Sequence, residues 1–108
     1  MRLLVIADCV PTAQAQAVAP GAVTERVDGF TDAIDIIRQR RADVVIAPES
    51  VGERQTGSCL DVARVARAAG VACVVITTVW EDGAYGAAVM APDGDVRDAV
   101  RRAVSLRR

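Results

Sequence analysis

The chain has 108 residues, 52% of them apolar, and a formal net charge of −1. That length and composition predict one packed domain and argue against disorder, while the charge balance gives no case for nucleic acid or an anionic membrane as partner. Histidine and lysine are both absent, all thirteen basic residues being arginine, which removes the commonest general base and every mechanism that needs a lysine amine.

In chain order, the apolar run 2–7 (RLLVIA) predicts a first strand ending at Asp8 and Cys9. It carries no cleavage pattern, so a strand is expected there and not a secretory leader, with a cytoplasmic location by default. Residues 12–19, rich in Ala and Gln, predict a short helix stopped by Pro20 and Gly21. The weak alternation over 22–27 fits an exposed edge strand. Thr31 is the expected cap of a helix over 32–40, with Phe30, Ala33, Ile34 and Ile37 facing the sheet and Arg38, Arg40 and Arg41 at the end that favours cations.

Residues 42–48 (ADVVIAP) read as the central strand. Their apolar residues are continuous and not alternating, which is the pattern of a strand buried on both faces. Pro48 cannot donate to a ladder, so the strand is expected to end there. After a polar loop over 52–57, Ser58 with Asp61 three residues on predicts a capped helix start, and Gly70 a helix end. Leu60, Val62, Ala63, Ala66 and Ala69 form its expected buried face. A fourth strand follows over 71–78, then a loose turn over 79–85, a short fifth strand over 87–91 and a final helix over 95–106. In that helix Val96, Ala99, Val100, Ala103 and Val104 make the apolar stripe. Strands alternating with helices predict an α/β fold with a doubly wound parallel sheet of five strands, in the flavodoxin-like order 2-1-3-4-5.

The same residues resemble the receiver domain of bacterial response regulators. The likeness lies in Asp8 after strand one, Gly29 before an Ala-containing helix (Ala33), the run Asp43–Ile46 leading to the middle of the strand edge, Gly57, Thr77 at the end of strand four, and Gly86, Ala87 and Pro92 before the last helix. It implies a bacterial regulatory domain whose final strand and helix form a partner and homodimer surface. Receivers carry a phospho-accepting Asp where Pro48 stands, an acidic pair for Mg²⁺ where Ala7 and Asp8 stand, and a Lys where Ala91 stands. Phosphoryl transfer to a carboxylate needs a metal and a cation against the developing charge. The resemblance therefore implies a pseudo-receiver: a non-catalytic regulatory or protein-interaction module, with the helix between strands four and five shortened.

Other constellations keep alternatives open. In open parallel sheets, ligands sit beyond the carboxyl ends of the strands, which directs attention to 48–52. Asp8 and Glu49 are expected at the sheet's carboxyl edge with Glu53, Glu81 and Asp82 nearby, and such oxygens suit a divalent ion such as Mg²⁺. The bland alternative is a set of solvated loop acids. The loop from Gly52 through Gly57 to Ser58 lies where a phosphate-binding loop would, but the Lys of that motif is missing, leaving only backbone amides for an anion. A small enzyme or a metal- or nucleotide-binding protein is thus the alternative function. Cys9, Cys59 and Cys73 are too scattered for zinc and are expected as free thiols, Cys59 the most exposed of them at a helix start. Trp80 and Tyr85 are two of three aromatic residues. They are expected either to anchor a partner or, for Trp80, to fold back over the sheet end. Together with Arg97 and Arg101 of the last helix they make up one candidate partner surface, the loop Glu49 to Gly57 being the other.

Overall fold

A computed structural model describes residues 1–19, 21–49, 58–81 and 83–106. Five strands form one all-parallel sheet: β1 (Arg2–Ile6), β2 (Val23–Val27), β3 (Val44–Pro48), β4 (Ala72–Ile76) and β5 (Ala88–Met90). They lie in the order β2-β1-β3-β4-β5, the flavodoxin-like arrangement, with β3 between β1 and β4. The register sets Leu4 beside Val45 and Val45 beside Cys73. Four helices cover the two faces: α1 (Thr12–Gln16), α2 (Phe30–Arg38), α3 (Cys59–Ala69) and α4 (Val96–Leu106).

The continuous apolar runs are explained by the two faces. Leu4, Ile6, Val45, Ala47, Cys73 and Val75 point to one side, into a core closed by α2 and α3. Leu3, Val5, Val44, Ile46, Val74 and Ile76 point to the other, under α1 and α4. Successive side chains of a strand alternate in direction, so a strand covered on both faces needs an apolar residue at every position.

The helices depart from expectation at their ends. α2 begins at Phe30, with Gly29 in the capping place, so Thr31 lies within the first turn and is not the cap. Burial of the Phe30 ring fixes the start, and Ile36 takes the buried place expected of Ile34, which sits on the flank. Beyond α2, Arg40 adopts φ +56 and Arg41 N–H donates to the Ile36 carbonyl at 3.2 Å. Gly70 does the same after α3, at φ +72, with Val71 N–H on the Ala66 carbonyl at 2.9 Å. The α3 start is as expected: the Ser58 hydroxyl accepts from Asp61 N–H at 3.3 Å.

α1 stops at Gln16, three residues before the expected end. Its first turn holds no acid and its last no base, and Ala15 is buried while Ala13, Gln14 and Gln16 are exposed. A helix with so little to bury has little to sustain it. Among the described residues between β4 and β5 the chain makes a 3-10 turn over Ala84–Gly86, the shortened connection expected there. Among the described residues no helix is long and apolar enough to cross a membrane.

Candidate functional site

The strand order places the connections after β1 and β3 side by side at the sheet's carboxyl edge, since β1 pairs directly with β3. Asp8, Cys9, Glu49 and Thr77 all leave the sheet at this edge. Its organising side chain is one that the sequence did not single out. Arg26 of edge strand β2 extends across the end of β1 and donates to the Ala7 carbonyl at 3.0 Å and the Val10 carbonyl at 2.6 Å. Its guanidinium also stands 3.8 Å from the Asp8 carboxylate. Ala7, between β1 and this loop, is held at φ +54. In sequence Arg26 stands between Glu25 and Val27 in the weakly alternating run 22–27, which reads only as an exposed edge.

The remaining polar groups also bond inward. The Cys9 thiol donates to the Ile46 carbonyl at 3.6 Å. Thr77 is buried, and its hydroxyl accepts from Val79 N–H at 3.2 Å. Asp8 and Glu49 are exposed, so Asp8 has solvent and the Arg26 guanidinium about it. A nearby guanidinium opposes binding of a cation by the same carboxylate. Among the described residues, no three His, Cys, Asp or Glu side chains are grouped as metal ligands. Gly52 and Gly57 of the expected anion loop lie outside the described residues, as do Glu53 and Asp82. Ser58, the last member of that loop, spends its hydroxyl on the α3 cap.

All three thiols are free, and Cys59 is buried where exposure was expected. Its side chain turns into the core under α3, and desolvation followed by the nearby Glu49 charge pushes the thiol up, overriding the helix start. Burial lifts Cys9 to about 11 and Cys73 to about 12. A thiol that resists ionisation is a poor nucleophile.

The four candidate partner residues fall on opposite faces. Trp80 is half-buried and packs against the α2–α3 core. Tyr85 stays outside at 47% exposure, its ring 5.2 Å from that of Trp80 and tilted by 55°. Arg64 of α3 stands over the Tyr85 ring at 5.8 Å. Tyr85 itself adopts φ +53, a conformation costly for a bulky residue. Gly86 follows at φ +77, where a Cβ would lie 3.2 Å from Cδ of Arg67. The turn is thus seated on α3.

Arg97 and Arg101 project from α4 on the far side of the sheet. Arg97 donates to the Ala17 carbonyl at 2.8 Å, tying α4 to the end of α1. With Arg101 it flanks a cleft of about 320 Å³ floored by Met1, Val18, Val100 and Val104.

Among the described residues charge is biased along the strand direction, with Arg26 at the acidic end and Asp43 at the arginine end as exceptions. Asp8, Asp28, Glu49, Glu81 and Asp93 lie at or beyond the strands' carboxyl ends. Arg2, Arg38, Arg40, Arg41 and Arg67 lie at the opposite end, at the start of β1 and the ends of α2 and α3.

Comparison with protein-family models gives no match, and comparison with curated proteins gives none either.

Proposed function

We propose that this chain is a receiver-like regulatory module that acts by recognising a protein partner and not by chemistry on a substrate. The observation that carries this reading is the use of the polar groups at the carboxyl edge. Arg26, Cys9 and Thr77 are spent on the chain's own backbone. A group that transfers protons or stabilises charge must keep its donor or acceptor aimed at the reacting atoms. Here those groups shape the loop between β1 and α1 and close the end of β4.

Two surfaces support recognition. One is the Trp80–Tyr85 pair on α3; the other is the Arg97–Arg101 face of α4 with its apolar cleft. Large aromatics and arginines are the residue types that anchor protein interfaces. The partner is a second protein, with pairing between copies of this chain as the other form of the same reading, and the cytoplasm is the proposed location.

The test is an amide NMR titration of the full chain with Mg²⁺ and then with beryllofluoride. Resonances of Asp8, Glu49 and Thr77 are expected to stay in place. Saturable shifts clustered at those three residues would reveal a working acidic site and reject the reading.

A further inference from the structure

Resting on the protein-recognition reading, we infer that the outer face of α3 is the docking surface and that its occupant is an acidic amphipathic segment of a partner protein. Two open depressions meet on this face. One, of about 380 Å³, runs between the end of α2 and α3 and is walled by Arg38, Arg40 and Arg64 over Val65, Ala68 and Ala69. The other, of about 450 Å³, lies between α3 and the 3-10 turn and is bounded by Arg64, Arg67, Ala68 and Tyr85. They share Arg64 and Ala68, so they adjoin along that ridge of α3 and together make a strip on its outer face.

The strip is charged, and no ion pair among the described residues offsets it. Among the described residues, the ion pairs involve Arg2, Arg26, Arg41 and Arg102, and none involves Arg38, Arg40, Arg64 or Arg67. Four exposed arginines therefore lie along this face, Arg64 also standing over the Tyr85 ring, in a chain whose net charge is −1. The planar fork of arginine pairs with carboxylates through two parallel hydrogen bonds. Between the arginines the floor is aliphatic, and Tyr85 closes one end. An aliphatic floor suits the apolar stripe of a helix laid in a groove, whereas a nucleic acid would meet its charge and find nothing there for its bases beyond one tyrosine ring. The acidic carboxyl edge of the same molecule would also repel an extended polyanion. Charge and floor together favour an acidic segment with apolar residues at helical spacing.

Trp80, the single tryptophan, touches Tyr85 and so reports on the strip. The probe is a synthetic 18-residue peptide with Leu at helical spacing and Glu elsewhere, titrated into the full chain while Trp80 emission and amide shifts are followed. Expected are a change in Trp80 emission, shifts clustered at Arg64, Ala68 and Tyr85, and binding that weakens with salt. The pair Arg38→Glu and Arg64→Glu is expected to weaken binding by about tenfold or more. Arg38→Gln with Arg64→Gln, which removes charge without reversing it, is expected to do so by a smaller factor and serves if the first pair folds poorly. Several results would overturn the inference. Absence of saturable binding, or equal affinity in the Arg38/Arg64 variants, removes it. Loss of binding on Arg97→Glu with Arg101→Glu alone moves the surface to α4 and leaves the protein-recognition reading standing. A dimer that forms without peptide and dissolves in the Arg38/Arg64 variants makes a second copy the occupant. Tighter binding of a fifteen-residue oligothymidylate than of the peptide sinks both the inference and the reading.

Discussion

Arg26 bridges an edge strand and the loop beyond its neighbour, and its side chain is largely covered where it does so. Removing it leaves two carbonyls without their charged donor, and hydrogen bonds from charged groups carry more than neutral ones. Arg26→Ala is expected to cost about 2 kcal/mol, read as a lower urea midpoint, with amide shifts confined to the β1–α1 loop. The thiols give a second prediction at this scale. Cys73 is raised to about 12 by burial, above its ordinary value of 9.0. The unfolded thiol thus ionises first, so its contribution to stability is complete below pH 9 and is lost as pH rises toward 12. Urea midpoints measured from pH 8 upward are expected to fall across that window, and Cys73→Ala is expected to flatten the fall. Single residues were the least legible part of the sequence. Arg26 stands in a run that reads only as a polar edge, and its role depends on β2 lying beside β1, a pairing that sequence spacing does not express. Cys59 is buried against expectation for a related reason: a helix start says where backbone amides point, not which way the side chain turns.

Helices were legible where local chemistry decides their ends. Ser58 and Gly70 bracket α3 as a hydroxyl acceptor before it and a left-handed residue after it. Ser58→Ala is expected to destabilise the fold by about 1 kcal/mol, measurable by thermal or urea unfolding. Where tertiary burial decides, the local signal misled. Thr31 has the chemistry of a cap, but enclosing Phe30 sets the start of α2 earlier. Alternating Ala and Gln at 13–16 have helical propensity and almost no face to bury, so α1 ends early. The connection between β4 and β5 shows the opposite case. The loose turn expected over 79–85 is found there, with Gly83 and the following Gly86 both at positive φ.

At the scale of the molecule, the sheet was the most legible feature, because continuous apolar runs at regular intervals allow few other arrangements. The candidate site was legible in place but not in content: the carboxyl edge follows from topology, whereas its inward hydrogen bonds depend on side-chain directions. Strand order also ranks local stability. β1, β3 and β4 are paired on both sides, while β2 and β5 form the two edges. Native-state hydrogen exchange is expected to be slowest in β1, β3 and β4, with β5, only three residues long, opening first.

The separation of acids and arginines along the strand direction has a consequence for how the molecule travels. Two ends of opposite sign make it an electric dipole, and a dipole in the field of another charged body feels a torque before any contact forms. In physiological salt that torque acts over roughly 8 Å, one screening length. Within that distance, an anionic neighbour would turn the arginine end toward itself and a cationic one the strand edge. Encounters would then begin already oriented, and their rate would fall as salt is added even where the final contact is apolar.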